Sequence, residues 1–289
     1  MPLFERMVIA GVGLIGGSLG LIARSRSLVR EVVGLGRGED NLRTALRRGA
    51  VDRYSLSAAE AARGADLLVL AVPVRSIRSV AESLLPSAAP SAVVIDVGSV
   101  KAEVVAALDP IVRPPAAFVG CHPIAGTEHS GAAHAEVDLF EGRRCILTPT
   151  AATDPRAVER VRELWERAGM RVESMPPEEH DRLLALVSHL PHVVAYALVA
   201  AIEGERVAER DPLAYSGGGL RDTTRIASSH PEMWRDICLE NRQEILPAIS
   251  GFENALGHLR ELIERGDGAA LEKELERIRN ARERLKERG

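Results

Sequence analysis

A glycine-rich segment near the N-terminus has the residue types and spacing of a phosphate-binding turn. Gly11, Gly13 and Gly16 form the pattern G-x-G-x-x-G, with Leu14 and Ile15 between the last two glycines. The first glycine permits a tight turn, the second lets the backbone approach a pyrophosphate, and the third allows close helix packing. A glycine-rich turn without a ligand has the same letters. The position after an apolar run and before a helical pattern favours dinucleotide binding.

The residues that would meet the adenine ribose leave the choice of dinucleotide open. NAD-binding folds usually carry an acidic residue at the end of the second strand, but here the second apolar run ends in Gly36 and Arg37. Arg37 could bind a 2′-phosphate, which favours NADP or dual use, or it could stack on adenine or face solvent. Gly16 in place of alanine fits NAD, and Glu39 or Asp40 could reach the ribose.

A hydroxyl and an imidazole follow two later apolar runs. Ser99 comes after residues 93–97, and His122 and Thr127 lie in a predicted loop after residues 118–120. Open α/β sheets hold ligands at the carboxyl ends of their strands, although Ser99 could also cap a helix. A neutral histidine is suited to remove the proton of an alcohol as hydride leaves. These residues indicate alcohol oxidation.

Strand-like and helical patterns alternate in the first half of the chain. The predicted strands are residues 7–10, 31–35, 67–72, 93–97, 118–120 and 145–148. The predicted helices are residues 17–24, 40–48, 58–63, 74–85, 101–108 and 155–168. Such alternation predicts a Rossmann-type, doubly wound, mostly parallel sheet.

The second half has helical patterns only, and Pro176 and Pro177 mark the change. We therefore expect a dinucleotide-binding domain at residues 1–176 and an all-helical substrate and dimerisation domain at residues 177–289. Residues 183–202 are apolar on nearly every side, which predicts a buried helix. A small domain covers such a helix poorly, so we expect a homodimer formed through the helical domain.

Composition limits the partners and the compartment. The chain has 289 residues, 46% of them apolar but only 3% aromatic, which predicts an aliphatic core and argues against base stacking. The net charge of −4 gives no reason to expect nucleic acid or an acidic membrane as a partner. Three widely spaced cysteines form neither a disulfide framework nor a zinc motif. The apolar run at residues 193–202 is too short to span a bilayer, so we expect a cytoplasmic protein.

Seven segments in order resemble the prephenate/arogenate (cyclohexadienyl) dehydrogenases of tyrosine biosynthesis. They are residues 11–16, 96–101 (D-V-G-S-V-K), 120–128 (G-C-H-P-I-A-G-T-E), 146–149 (I-L-T-P), 187–192 (V-S-H-L-P-H), 217–225 (G-G-G-L-R-D-T-T-R) and 233–236 (M-W-R-D). The combination is specific, whereas no single segment is.

This resemblance implies an NAD(P)-dependent oxidative decarboxylation of prephenate to 4-hydroxyphenylpyruvate. It implies that His122 deprotonates the ring hydroxyl and that Ser99 orients this histidine and contacts the hydroxyl and the nicotinamide. Arg225 matches the arginine that binds a substrate carboxylate, for which a planar guanidinium is suited. Val72, the last residue of the third predicted strand, and Pro73 after it are assigned to the cofactor.

Further residues are expected at the substrate, each with an ordinary structural alternative such as helix packing, a turn or a core anchor. They are Thr127, His180, His189, His192, Gly218 and Trp234. His189 and His192 are three residues apart and share a helix face, and Pro191 between them is expected to kink the helix.

Several alternatives stay open or rank low. No carboxylate stands out as a partner for the ammonium of arogenate, which favours prephenate. A β-hydroxyacid dehydrogenase would need a lysine in the helical half, where only Lys273 and Lys286 occur, both in a charged tail. The histidine spacings match no zinc site, so no metal is expected. A non-catalytic redox sensor would need neither His122 nor Arg225. The chain has no residues for the extra domains of some relatives, so any tyrosine feedback is expected at the active site.

Overall fold

The first half of the chain builds an eight-stranded sheet in the computed structural model, which describes residues 1–126 and 129–286. The strands are β1 (Phe4–Ala10), β2 (Val29–Leu35), β3 (Arg53–Ser55), β4 (Leu67–Leu70), β5 (Val93–Asp96), β6 (Ala117–Ile124), β7 (Arg144–Thr148) and β8 (Arg171–Ser174). Their order is β3-β2-β1-β4-β5-β6-β7-β8, and each neighbouring pair is parallel except β6 and β7.

Helices cover the sheet and then make up the rest of the chain. Those of the first half are α1 (Leu14–Ser25), α2 (Glu39–Arg47), α3 (Ala58–Ala62), α4 (Ile77–Leu84), α5 (Ala102–Leu108) and α6 (Pro155–Arg167). Those of the second half are α7 (Pro177–Leu184), α8 (Leu190–Glu203), α9 (Gly218–Thr224), α10 (Pro231–Glu240), α11 (Arg242–Arg265) and α12 (Gly268–Lys286). The predicted fold class is confirmed.

The central strand β4 is apolar throughout because the sheet is covered on both faces. On β4, Leu67 and Val69 pack into one aliphatic layer, whereas Leu68 and Leu70 pack into the other. This alternation follows from the two-residue period of a strand. The sheet thereby holds the carboxyl ends of β1, β4 and β5 at one edge, where the predicted site residues follow.

The sequence-based strand assignment was incomplete in two respects. Strands β3 and β8 were not predicted, because they are short outer strands whose polar and half-exposed residues carry no apolar run. Strand β6 is longer than expected, and His122 lies within it rather than in a following loop. Past the end of β5, this strand continues by pairing antiparallel with β7, where His122 lies opposite Ile146.

The chain divides into two compact units, residues 1–242 and residues 243–289. The second unit consists of most of α11 and of α12. On its surface, Leu256 and Ile263 are exposed, and Arg277 forms an ion pair with Glu274.

The apolar helical run in the first unit is longer and more exposed than predicted. Helices α7 and α8 and the π-helical turn between them run without interruption over Pro177–Glu203, 27 residues, which is long and apolar enough to cross a membrane. A core or interface helix meets the same criterion. The expected burial of residues 183–202 is wrong for a single chain: Leu186 is 53% and Val187 70% exposed.

Candidate active site

The turn between β1 and α1 can only be made with glycine at two positions. Gly11 has a φ of +91°, and a Cβ there would lie 2.2 Å from the carbonyl oxygen of Ala71. A Cβ on Gly16 would lie 2.4 Å from the carbonyl oxygen of Gly11. The first glycine therefore brings the turn against the end of β4, and the second brings α1 against the turn.

The start of α1 is open in the way that a phosphate requires. Gly13 is the N-cap of α1, and no heavy atom lies within 4 Å of the position of its Cβ. The first turn of the helix, which begins with Leu14 and Ile15, has no acidic residue and no side-chain cap. Unpaired N–H groups and the helix dipole favour an anion here. Val72, at the end of β4, lies beside the turn. These residues fit the pyrophosphate of a dinucleotide.

A cation and a carboxylate lie close in sequence after β2. Gly36 and Arg37 follow this strand directly, and Arg37 is exposed. Glu39 begins α2, and its carboxylate accepts hydrogen bonds from Arg43 (3.1 Å) and from the hydroxyl of Tyr54 (3.0 Å). The hydrogen bond from Arg43 is the main cause that lowers the pKa of Glu39. We call Arg37 and Glu39 the ribose end of the site. A cation of this kind could bind a 2′-phosphate, and a carboxylate could accept from a 2′-hydroxyl.

His122 is the first member of a buried hydrogen-bonded chain. Its Nδ1 lies 2.8 Å from Nε2 of His180, and Nδ1 of His180 lies 2.7 Å from the carboxylate of Asp181. Burial, followed by the neighbouring His180 and the Lys101 cation, lowers the pKa of His122 well below 6.5. His122 is therefore neutral at physiological pH, as a general base must be.

The same chain determines which nitrogen of His122 is basic. An ionised Asp181 can only accept, so Nδ1 of His180 carries the proton between them and Nε2 of His180 is an acceptor. Nδ1 of His122 must then donate to His180, which leaves Nε2 of His122 unprotonated. The arrangement is the general-base geometry in which a carboxylate fixes the tautomer of a histidine, with a second histidine interposed.

Asp181 also determines where α5 begins. Its two carboxylate oxygens accept from the backbone N–H groups of Lys101 (2.8 Å) and Ala102 (2.9 Å). The suggestion that Ser99 caps this helix is therefore wrong. Ser99 lies half-buried in the turn between β5 and α5, at the edge of the sheet where α/β folds hold their ligands.

A buried ion pair, which the sequence analysis did not assign, connects this turn with the strand of His122. The Lys101 ammonium contacts the Asp96 carboxylate, and both side chains are fully buried. Asp96 accepts from the N–H groups of Gly98 (2.8 Å) and Cys121 (3.1 Å), and Lys101 donates to the carbonyl of Cys121 (2.8 Å). Both charges are in the D-V-G-S-V-K segment. Two opposite charges five residues apart, next to a buried strand, were the sequence signal that could have indicated this pair.

His189 lies at the end of the π-helical turn, immediately before α8. The π turn and Pro191 occur where the sequence predicted a kink. Nδ1 of His189 lies 2.9 Å from the amide nitrogen of Asn241, which also donates to the carbonyl of Asp181. Burial lowers the pKa of His189 to about 4. Because Nδ1 accepts from Asn241, the proton is on Nε2, a buried donor without a protein partner.

Two of the predicted substrate residues, His189 and His192, pack against the indole of a third, Trp234. The His192 ring stacks on Trp234 with centroids 3.6 Å apart, and the His189 ring meets Trp234 edge-on at 6.0 Å. Nδ1 of His192 lies 2.9 Å from the carbonyl of Ser188. Burial is the main cause that lowers the pKa of His192, and the Arg225 cation lowers it further. Arg225, which is exposed, belongs electrostatically to this cluster.

The remaining predicted positions are less informative. Gly218 is exposed at the start of the short helix α9, and Pro73 is exposed after β4. Thr127 lies outside the described residues. Among residues 1–126 and 129–286, no group of three or more histidine, cysteine or acidic side chains could hold a metal ion.

Two family models match the chain and divide it between them. One, described as prephenate dehydrogenase, nucleotide-binding domain, matches residues 19–174. The other, described as prephenate dehydrogenase, dimerization domain, matches residues 176–277. The predicted family is therefore confirmed.

Proteins with similar sequences and structures carry related names. The chain is 36% identical over 287 residues to a cyclohexadienyl dehydrogenase of Zymomonas mobilis, covering 99% of this chain and 98% of that protein. It is 35% identical to a prephenate dehydrogenase of Bacillus subtilis, covering 92% of this chain and 72% of that one. The crystal structure of Aquifex aeolicus prephenate dehydrogenase with hydroxyphenyl propionate and NAD+ superposes with a TM-score of 0.92 at 39% identity, covering 97% and 98% of the two chains.

Proposed function

Because the chain belongs to the prephenate dehydrogenase family, an NAD(P)-dependent oxidoreductase family, we propose that it oxidises and decarboxylates prephenate with His122 as general base. The observation that carries the assignment is the buried sequence of contacts from His122 through His180 to Asp181. It presents a neutral histidine with its Nε2 unprotonated. That is the group needed to take the proton of the ring hydroxyl.

The residues divide the work of the reaction. Nε2 of His122 takes the proton of the ring hydroxyl while the carbon that bears this hydroxyl gives up hydride. The nicotinamide, when bound, accepts this hydride. Ser99, in the turn fixed by Asp96, orients His122 and the hydroxyl. The bond to the ring carboxylate then breaks and carbon dioxide leaves. The electron pair of this bond completes the aromatic ring and passes to the ring oxygen, which takes its proton back from His122.

Substrate charge is met by the cluster around Trp234. Arg225 binds a carboxylate, and His192 with the buried Nε2–H of His189 contacts the substrate side chain, with Gly218 near the same cleft. Thr127 is assigned to the substrate from its sequence segment alone. His180, whose two ring nitrogens bond His122 and Asp181, acts on the substrate through His122. These side chains are mainly hydrogen-bond donors and one cation. They suit a dianion with a keto group better than the ammonium of arogenate, so prephenate is the preferred substrate. Tyrosine, which resembles the aromatic product, would compete at the same cleft.

Both dinucleotides are accepted at the ribose end. Glu39 can accept from the 2′-hydroxyl of NAD, while Arg37 can bind the 2′-phosphate of NADP. Gly11, Gly13 and Gly16 serve the shared pyrophosphate.

The helical half provides the dimer interface of a cytoplasmic homodimer, with the domain boundary at residues 176–177. The exposed apolar side chains of Leu186 and Val187, and the match of this half to a dimerization model, support this assignment. A membrane span is disfavoured, because the same helical run supplies His180 and Asp181 to a hydrogen-bonded network with Lys101. Light scattering at micromolar concentration should give twice the chain mass, and a monomer would contradict the dimer.

A four-way steady-state comparison tests the function. Prephenate and arogenate are each assayed with NAD and with NADP, following the reduced dinucleotide, with and without tyrosine. We expect turnover of prephenate with both dinucleotides and competitive inhibition by tyrosine. A higher kcat/KM for arogenate would replace the substrate assignment with that of a dual-substrate cyclohexadienyl dehydrogenase, and no turnover of either would overturn the function.

A further inference from the structure

One side chain joins the glycine turn between β1 and α1, here called the dinucleotide turn, to the segment that follows β6, the strand of His122. The amide of Asn41, on α2, donates from Nδ2 to the carbonyl of Val12 (2.8 Å) and accepts at Oδ1 from the N–H of Ala132 (2.9 Å). Val12 lies between the first two glycines of the turn, and Ala132 begins a short 3-10 turn (Ala132–His134) ten residues after His122. Both residues are buried.

The segment of residues 131–136 is held to α1 and α2 at other points as well. Ser18 accepts from the N–H of Glu136 (2.9 Å), and Arg48 donates to the carbonyl of Ala135 (2.6 Å). A Cβ on Gly17 would lie 2.8 Å from Cβ of Ala135, so the backbones approach closely. Of these polar contacts, the one from Asn41 also reaches the dinucleotide turn.

We propose that Asn41 is a positioning residue that couples dinucleotide binding to the order of residues 131–136. The proposal rests on the proposed function for the identity of the ligands. Asn41 holds the Val12 carbonyl, and the N–H of the same peptide group, on Gly13, donates to the carbonyl of Gly11 (2.9 Å). This peptide group of the turn is therefore fixed from both sides, and the Asn41 side chain that fixes it also binds the N–H of Ala132. A dinucleotide that orders the turn thereby also orders residues 131–136.

Hydrogen exchange on NAD binding is the direct test. The amides of residues 131–136 are followed with and without saturating NAD in the wild-type chain and in the Asn41→Ala and Asn41→Asp variants. Aspartate keeps the acceptor for Ala132 but presents an oxygen to the Val12 carbonyl. The matched control is Arg48→Met, which loosens the same segment without touching the dinucleotide turn.

We expect NAD to slow exchange of residues 131–136 in the wild type and in Arg48→Met, but not in either Asn41 variant at saturating NAD. Unchanged exchange in wild type on NAD binding, or equal protection in the Asn41 variants, would overturn the proposal. Failure of the proposed function would instead appear as absent prephenate turnover, with the NAD-dependent exchange intact.

Discussion

The catalytic cluster and the ribose end of the dinucleotide site are organised in opposite ways. Around His122, the side chains of His180, Asp181, Asp96 and Lys101 are buried and hydrogen-bonded. After β2, Arg37 and Glu39 are exposed on a turn and at a helix start. The proton transfer, which requires one protonation state of His122, depends on buried side chains that hold one another in place. Recognition of the ribose substituent depends on exposed side chains.

This contrast explains why charge has different effects at the two places. In the buried cluster, low polarisability makes a single proton or ammonium decisive for the pKa of its neighbours. At the exposed end, solvent screens each charge, so that one residue changes affinity without changing chemistry. Substitutions in the cluster should therefore act on kcat, and substitutions at the ribose end on KM for the dinucleotide.

The largest effect is expected from His122→Asn. It removes the base and leaves a polar side chain of similar reach, so kcat should fall by about 10²- to 10⁴-fold while KM for prephenate changes little. Steady-state kinetics with saturating NAD measure this. A variant with unchanged kcat would show that another group takes the proton.

A smaller loss is expected from His180→Phe, which keeps a ring but removes both nitrogens. Asp181 remains satisfied by the N–H groups of Lys101 and Ala102, so the fold should persist. His122 loses the partner that fixes its tautomer, and kcat should fall roughly 10- to 10³-fold, less than the loss known for a triad carboxylate. The dissociation constant for NAD is the control and should not change. Full kcat in this variant would remove His180 from the mechanism.

At the ribose end, Arg37→Ala should act on one dinucleotide only. Loss of a charged hydrogen bond to the 2′-phosphate should lower kcat/KM for NADP by about 10- to 100-fold and leave that for NAD within about twofold. Arg47→Ala, at the far end of α2, is the matched control. An equal fall with both dinucleotides would show that Arg37 does not distinguish them.

The smallest change at optimal pH is expected from neutralising the buried pair in the double variant Asp96→Asn/Lys101→Met. Because the pKa of His122 is lowered, wild-type kcat/KM should be full near neutral pH and should decline only well below pH 6.5, as His122 gains a proton. Lys101, His180 and His189 are the titratable groups that lower this pKa. Removing the Lys101 cation should move the acidic limb to higher pH. A limb that does not move would exclude the cation as a cause.

Much of the fold could be predicted from the sequence, because the buried strands are uninterrupted apolar runs and the glycine spacing marks the first turn. Strands β3 and β8 could not, since outer strands with polar residues have no such pattern. The helix of residues 183–202 was correctly read as apolar, but its exposed side chains show that apolarity alone does not indicate what covers a surface.

The sequence predicted which residue types the site contains, but not which of these residues contact one another. Ser99 and His122 stand in recognisable segments, yet no local pattern shows that His122 contacts His180, which lies 58 residues further along the chain. Asp181 and Asn241 were missed for the same reason, because their roles depend on contacts between the sheet and α7 or the end of α10. Lys101 was recognised as part of the D-V-G-S-V-K segment, but its ion pair with Asp96 was not predicted.

The protonation of the two nitrogens of His122 tests the account most directly. In protein with 15N-labelled histidine, assigned with the His122→Asn variant, the nitrogen shifts distinguish a protonated from a bare nitrogen. At pH 7 we expect a neutral ring with the proton on Nδ1 and a bare Nε2. A proton on Nε2, or a charged imidazolium, would contradict it.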